Sequence, residues 1–546
     1  MRKKGAASQR RLLRRDIPKM PEGYYSSGPN PNLRRFVEEQ ATPYDPETDE
    51  YDVPPFDHSI VTTKATAIYN MHTYWSKKPH DAIRQYIRHY TKPGDLVLDP
   101  FCGSGSTALA ALMEGRAAIA TDLSPAATFI TKNYCTPVDV DELQAAFQEL
   151  ERRVKPEIDW LYETRCDRCG GRAMTAYTVY SQRFRCPRCL EVVPLFDCVE
   201  AQGQTKAGKP KKIRICPHCY ERGIVEEIRT RTKRYGAVPV MVSYLCEEGC
   251  KPKRGNRRHN DPNSRKREWF QQYDLAKIAE IERKEIPHWY PPHRMMNVKS
   301  DTDPWGDKWR KGTSNFRTVA ELFTKRNLWA LAAIRVASEH DRLRFTLSSI
   351  ILNSSRLYRD RAGGGGGPTG TYYLPQISRE NAVWPQFVDK VRDHSSIVTR
   401  TRTSAVLVST QSATDLGGIS DGTADYVFTD PPYAGKVQYG ELNFVWEAWL
   451  GFDTNWHRGE ITVNETRDIT EADWGDTMRQ AMAEWHRVLK PGRWISLCYH
   501  DTSEGTWQLV QDIMTEIGFI PETSDHALYI DTAQKTYNQL MAEKVT

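Results

Sequence analysis

Two stretches of α/β pattern stand far apart in this chain, and neither holds enough strands to close a sheet by itself. Residues 80–135 read helix, strand, helix, strand, helix. His80 to His89 has an apolar face at Ala82, Ile83, Tyr86 and Ile87. Lys92-Pro93-Gly94-Asp95 then turns into the short apolar run Leu96-Val97-Leu98. Thr107 to Met113 is a second helix closed by Gly115, Ala117 to Ala120 a second strand ending at Thr121-Asp122, and Pro125 to Asn133 a third helix. Strand signals resume only at Ser404 to Ser409 and Ala424 to Thr429. The turn Leu489-Lys490-Pro491-Gly492 with a strand to Ser496, a helix over Thr506 to Ile517 and strand-like Ala527 to Ile530 follow. Strands alternating with helices make a parallel sheet, so the fold class expected is α/β, one Rossmann-like sheet split by an insertion. Two independent α/β domains flanking the middle are the alternative, and each would lack strands.

The middle of the chain carries a different signal. Eight of the twelve cysteines form four close pairs: Cys166/Cys169, Cys186/Cys189, Cys216/Cys219 and Cys246/Cys250. Thiolates two or three residues apart have the spacing of metal ligands, and four suffice for a closed tetrahedral zinc site. The expectation is two structural zinc ions. Cys166, Cys169, Cys186 and Cys189 would hold one, and Cys216, Cys219, Cys246 and Cys250 the other; sequential pairing is the simplest arrangement and interleaving the alternative. The insertion is therefore zinc-ribbon-like and, from Thr318 to Tyr358, helical. The five glycines Gly363 to Gly367 read as a mobile loop. The expected divisions are an irregular basic arm over 1–64, a cofactor-binding half over 65–150, the cysteine-bearing insertion over 151–275, a helical and linker region over 276–400, and a catalytic half over 401–546.

Charge is segregated along the chain. Residues 1–20 hold eight basic residues to one acidic, and residues 201–267 hold eighteen to six, so the remainder is net acidic although the whole chain carries +6. Such a distribution fits a face for a polyanion. Arg229, Arg231, Lys233 and Arg234, the run Lys251 to Arg258, and Arg265 to Arg267 are candidates for phosphate contact; a disordered tail over Arg254 to Arg267 is the competing reading. Lys436 and Gln438, inside Gly435 to Gly440, are a second candidate loop. No apolar run long enough for a signal or a membrane span follows Met1 or occurs later, so a cytoplasmic protein without membrane contact is expected.

Two motifs carry chemistry. Asp99-Pro100-Phe101-Cys102-Gly103-Ser104-Gly105-Ser106 sits between a strand and a helix. Gly103 and Gly105 let the backbone turn tightly beside a ligand, and Asp99 offers a carboxylate to a ligand ammonium. Asp122, at the next strand end, can accept ribose hydroxyls. The three-glycine dinucleotide fingerprint and the Gly-Lys-Ser/Thr phosphate loop are both absent, which favours S-adenosylmethionine over NAD or ATP. The second motif, Asp430-Pro431-Pro432-Tyr433, follows a strand. Its prolines stiffen the backbone, Asp430 and the Pro431 carbonyl can accept from an exocyclic amine, and Tyr433 offers a flat face to a base. A base inside a duplex reaches such a tip only by rotating out of the stack. Leu442, Val445, Trp446, Trp449 and Leu450 have helical spacing and read as core.

Together these segments resemble the amino-methyltransferases of DNA, which make N6-methyladenine or N4-methylcytosine. Asp99 to Gly105 resembles their cofactor motif, Asp122 their ribose-binding acid, and Asp430-Pro431-Pro432-Tyr433 their catalytic tetrapeptide. Arg487 to Gly492 is similar to the turn before their fifth strand. His72-Thr73-Tyr74-Trp75-Ser76-Lys77-Lys78-Pro79 resembles a segment that shapes the methionine pocket in one branch, which brings in Tyr74 and Lys77. Asp415, in Gln411 to Asp415, takes the place of a residue beside the cofactor adenine. The resemblance implies base methylation of double-stranded DNA, adenine N6 ahead of cytosine N4, with target recognition in the insertion and restriction or phage-defence proteins as partners. An RNA base methyltransferase and a non-catalytic DNA-binding protein are the rival readings.

Overall fold

The computed structural model describes residues 28–205, 208–295, 316–361, 366–367, 372–397, 405–499, 504–522 and 528–532. The basic cluster of residues 1–20, most of the five-glycine run and Ala527 lie outside the described residues.

The cofactor half follows the sequence pattern closely. In chain order it comprises α1 (Leu33–Gln40), β1 (Ile60–Thr62), α2 (His80–Tyr90), β2 (Leu96–Asp99), α3 (Ser106–Met113), β3 (Ala117–Asp122) and α4 (Pro125–Cys135). All four residues of β2 are buried, as expected of a strand covered on both faces. Gly105 precedes α3 with φ 78°, and a Cβ there would stand 2.8 Å from the Thr131 methyl on α4, so only glycine turns the chain here. The Ser124 side chain accepts from Ala127 N and Pro125 opens α4, a well-formed helix start.

Helix α5 (Val140–Tyr162) leads out of the sheet and runs across the 150/151 division expected from the sequence. Its buried residues, Leu143, Leu150, Val154, Ile158 and Leu161, recur at helical spacing, so burial continues through that point. The insertion then builds an antiparallel sheet. β4 (Arg172–Arg185) pairs with β5 (Ala237–Cys246), β5 with β6 (Arg254–Arg258), and β4 on its other side with β7 (Ile377–Asn381). Between β6 and β7 lie α6 (Lys325–Ala337) and α7 (Asp341–Ile351), and α8 (Val383–Ile397) follows β7. Because β7 joins this sheet, the regions expected as 151–275 and 276–400 share one body.

The catalytic half returns with β8 (Val406–Thr410), β9 (Tyr426–Thr429), α9 (Tyr439–Leu450), α10 (Glu471–Val488), β10 (Ile495–Leu497), α11 (Glu504–Ile517) and β11 (Ile530–Thr532). The central sheet has the order β8-β3-β2-β9-β10, and every neighbouring pair is parallel. Strands from both halves interleave, so the chain forms one α/β sheet rather than two. β11 pairs instead with β1 in a separate two-stranded ribbon.

The arm from residue 28 is bound to the sheet. Asn30 donates from its backbone N to Ser409 Oγ (2.8 Å) and from its side chain to the Val408 carbonyl (3.0 Å), capping the edge strand β8. Leu33 and Val37, four apart on α1, bury the same face. At the opposite edge Arg493 pairs with Asp49, and Trp494 Nε1 donates to the Val53 carbonyl. Among the described residues no helix is long and apolar enough to cross a membrane.

One buried ion pair of the catalytic half also grips the cofactor half, through a backbone amide. Lys490 Nζ donates to Asp425 Oδ1 at 2.5 Å, and the other Asp425 oxygen accepts from Leu96 N at 2.8 Å, beside the junction of β2 and β9. The two side chains are only 4% and 8% exposed. Lys490→Met leaves that carboxylate buried without its countercharge. Urea denaturation is expected to register a loss of about 3–5 kcal/mol, and a loss under about 1 kcal/mol would show that the pair does not hold the halves together.

Candidate active site and cysteine clusters

In a parallel sheet every strand ends at the same edge. The register sets Tyr426 opposite Val97 and Val427 opposite Leu98, so the Asp430 tip emerges beside the glycine turn that follows Asp99. From β2 the chain moves to β3 and β8 on one side, and β9 and β10 lie on the other. The β2/β9 boundary is therefore the point where strand order reverses, the usual location of a ligand crevice. A cleft of about 830 Å³ opens there, lined by Asp99 to Ser104, Asp122, Ser412, Ala413, Asp430, Pro432 and the segment Tyr74 to Lys78.

Its walls are rich in buried carboxylates. Burial raises the Asp99 carboxyl to about 7, against the pull of the Thr107 and Thr429 hydroxyls and of Phe101 N at 3.2 Å. Burial likewise raises Asp122 to about 6, although its oxygens accept from Ser124 N and Gly103 N, each at 2.9 Å. Glu460, which the sequence reading did not single out, is buried and raised to about 7 by the same cause. One of its oxygens accepts from Tyr439 N (2.5 Å) and Gly440 N (3.2 Å) at the start of α9. The other is buried with no hydrogen-bond partner among the described residues. A cleft holding several reluctant anions is suited to a cationic ligand.

Tyr74 packs on the glycine turn so tightly that a Cβ on Gly103 would lie 2.9 Å from its ring. Its hydroxyl accepts from Asn443 at 3.2 Å, and its ring stacks on Trp446 of α9. The whole apolar stripe Leu442, Val445, Trp446, Trp449 and Leu450 is buried core. Lys77 lines the cleft but spends its charge elsewhere: Nζ donates to the Tyr69 carbonyl (3.0 Å) and Tyr134 Oη (2.8 Å), and burial lowers its ammonium to about 7.

At the tip, Tyr433 Oη donates to Asp430 Oδ1, and Lys78 Nζ reaches both Asp430 Oδ2 (2.6 Å) and Tyr433 Oη (2.8 Å). Burial raises the Asp430 carboxyl, opposed first by Lys78. Pro431 and Pro432 are buried behind it. Lys78 is the second residue that sequence reasoning missed. The resemblance of the segment His72 to Pro79 brings in Lys77, and a loop has no period that tells which of two adjacent lysines faces the tip.

Two expectations are corrected. Asp415 does not line the cleft: it is exposed and its carboxylate accepts from Gly417 N at 3.1 Å, holding a turn, while Ser412 and Ala413 form the wall. Gln438 is buried, donating to Thr462 Oγ1 and the Val463 carbonyl, so it braces the loop after the tip rather than facing outward. Lys436 is exposed.

The cysteines gather into two sets of four, nested rather than sequential. Cys166 and Cys169 meet Cys246 and Cys250; Cys186 and Cys189 meet Cys216 and Cys219; within each set all sulfurs lie within 4.8 Å of one another. The reason is the 14-residue strand β4, which carries the chain about 45 Å at ~3.3 Å per residue and separates the first pair from the second. β5 runs back antiparallel and sets Cys246 opposite Ala173, beside the first pair. Four convergent sulfurs can hold one tetrahedral metal ion. Among the basic candidates, Arg257 is withdrawn from the surface: it is fully buried and paired with Asp274 at 2.5 Å. Arg229, Arg231, Lys233, Arg254, Arg258, Arg265 and Arg267 are exposed, and Arg254 to Arg267 is strand and helix rather than a disordered tail.

Comparison with known proteins finds short matches. The chain is 46% identical over 48 residues, 9% of its length, to YubD of Escherichia coli (strain K12), which is named a methylase. It is likewise 46% identical over 52 residues, 10% of its length, to the Type II methyltransferase M1.MboII of Moraxella bovis. These matches span about a fifth of each relative, 21% and 20%. No solved structure matches. Residues 38–133, which hold the loop of Tyr74 to Lys78, the glycine turn and Asp122, match the DNA methylase family of N6 and N4 type.

Proposed function

We propose that this protein transfers a methyl group from S-adenosylmethionine to an exocyclic amine of a DNA base turned out of the duplex. The observation that carries this reading is that Asp430 and Pro432 of the tip line one cleft with the carboxylate-flanked glycine turn. The residues fit the cofactor: it is a net cation, the cleft supplies Asp99, Asp122 and Glu460, and Gly103 leaves room against Tyr74 that a side chain would fill. Asp99 would hold its ammonium and Asp122 its ribose hydroxyls. When bound, S-adenosylmethionine supplies a methyl group on a positively charged sulfur.

The chain's own residues do the rest. Asp430 accepts a hydrogen bond from the target amine, localising its lone pair, and takes the proton that the nitrogen sheds once methylated. The prolines keep that acceptor from moving away, and Tyr433 stacks on the everted base, worth roughly 1–3 kcal/mol. Adenine N6 is the favoured target because the tetrapeptide begins with Asp; cytosine N4 is the alternative. The exposed arginines and lysines of the insertion would contact phosphates of double-stranded DNA. Each cysteine set would hold one structural zinc ion with no open position. Partnership with restriction or defence proteins is supported by the likeness to a Type II methyltransferase, and reduced cysteines suit the cytoplasm.

Radiolabelled methyl transfer should appear on duplex DNA, and Asp430→Ala should lower it by roughly 10²–10³-fold while cofactor affinity changes little; incorporation into RNA alone would overturn the reading. Cofactor affinity measured by calorimetry should fall as pH drops through the window from about 7 to about 6, where Asp99 and Asp122 take up protons and lose the charge that attracts a cation. S-adenosylhomocysteine, lacking the sulfonium charge, should show a shallower dependence. Metal analysis should find two zinc ions per chain. The double change Cys166→Ser with Cys246→Ser should remove one, because both belong to one set, whereas sequential pairing would cost both.

A further inference from the structure

The ammonium of Lys78 sits on Asp430, the carboxylate that the proposed chemistry offers to the target amine. Each oxygen of Asp430 is already taken, Oδ1 by the Tyr433 hydroxyl and Oδ2 by Lys78 Nζ at 2.6 Å. An incoming amine must crowd in beside one of these donors or displace it, and an ammonium on the oxygen resists the positive charge that the amine will develop. Tyr433 is three residues from Asp430 on a proline-stiffened tip and only 8% exposed, so its hydroxyl has little freedom to leave. Lys78 comes from a distant loop on a flexible four-carbon stem, its side chain is 25% exposed, and water can receive its charge.

We propose that Lys78 is a positioning residue that occupies the amine site of the resting enzyme and withdraws when a base enters. This rests on the methyltransferase reading above. The ammonium presents N–H donors and positive charge to the same acceptor that the methylated nitrogen will face, so it keeps Asp430 ionised and aimed while the cleft waits for DNA. Its departure removes the countercharge and leaves Asp430 a stronger proton acceptor just when the nitrogen needs one. The other titratable groups facing Asp430 among the described residues are Tyr433, Tyr439 at the start of α9 and Cys498 beyond β10; Asp99 stands on the adjacent strand end. None of them supplies positive charge, so the effect is assigned to Lys78.

The test is the pH–rate profile of the full-length protein on duplex DNA, comparing wild type with Lys78→Met and Lys78→Arg. kcat/KM reports the free enzyme and kcat the DNA-bound enzyme. Lys78 lowers the Asp430 pKa, so its loss raises it. In Lys78→Met the acidic limb of kcat/KM should move to higher pH, the limb of kcat should stay in place, and KM for DNA should fall. Lys78→Arg should restore the wild-type limb. Equal movement of both limbs would mean that Lys78 remains on Asp430 throughout, and no movement of either that it only supports the fold; each overturns the proposal. If Lys78→Met melts below the assay temperature, Lys78→Gln gives the same comparison. Wild type that methylates no DNA overturns the function together with this inference, whereas active wild type without the split between limbs overturns the inference alone.

Discussion

The parallel pairing of β9 with β2 is the constraint on which everything else depends. Two residue pairs, Tyr426 with Val97 and Val427 with Leu98, decide that a tip at residue 430 and a turn at residue 100 share one edge. A slip of one residue would invert every side chain of β9 and send Asp430 away from the cleft. That register is protected from below by Asp425, which holds Leu96 N with one oxygen and Lys490 with the other. The pair lies at the opposite end of the strands from the chemistry, where stability and function do not compete for the same residues.

The cleft itself works against the fold. Asp99, Asp122 and Glu460 are buried carboxylates whose charged forms burial disfavours more than the hydroxyls and backbone amides donating to them restore. Such an arrangement is stable only because the surrounding core over-determines it: the Tyr74 ring packs on the turn and is itself stacked on the buried Trp446 of α9. A cationic ligand relieves the tension, so binding and stability are linked, and a ligand that enters gains what the empty cleft had to forgo.

Much of this was legible in the sequence. The strand–turn–helix–strand series around Asp99 and Asp122 has period, punctuation and composition all in agreement, and the structure follows it within a residue or two. The tip was legible because two prolines after an apolar run admit few conformations. The misses share another cause. Lys78 and Glu460 matter through tertiary contacts from segments without period, and Asp415 was placed by analogy with a position rather than by a local constraint. The cysteine sets could not be deduced from spacing, since the partner of Cys166 depends on where a 14-residue strand goes and which strand returns beside it. Gln438 looked like a surface residue because its loop is polar, yet that polarity is consumed internally by Thr462, Val463 and Asn464.

Helix α9 carries a consequence of its own. At its N-terminus the Glu460 carboxylate takes two backbone amides; at its C-terminus the Arg335 guanidinium, buried on α6, donates to the carbonyls of Trp449 and Leu450 at 2.7 and 2.8 Å. Opposite charges thus complement both poles of the helix dipole from separate parts of the chain. Among the described residues no carboxylate pairs with Arg335, so its burial rests on these two carbonyls of α9. The helical insert is therefore anchored to the far end of the same helix whose first turn meets Glu460 at the cleft, so insert and catalytic half share one structural member.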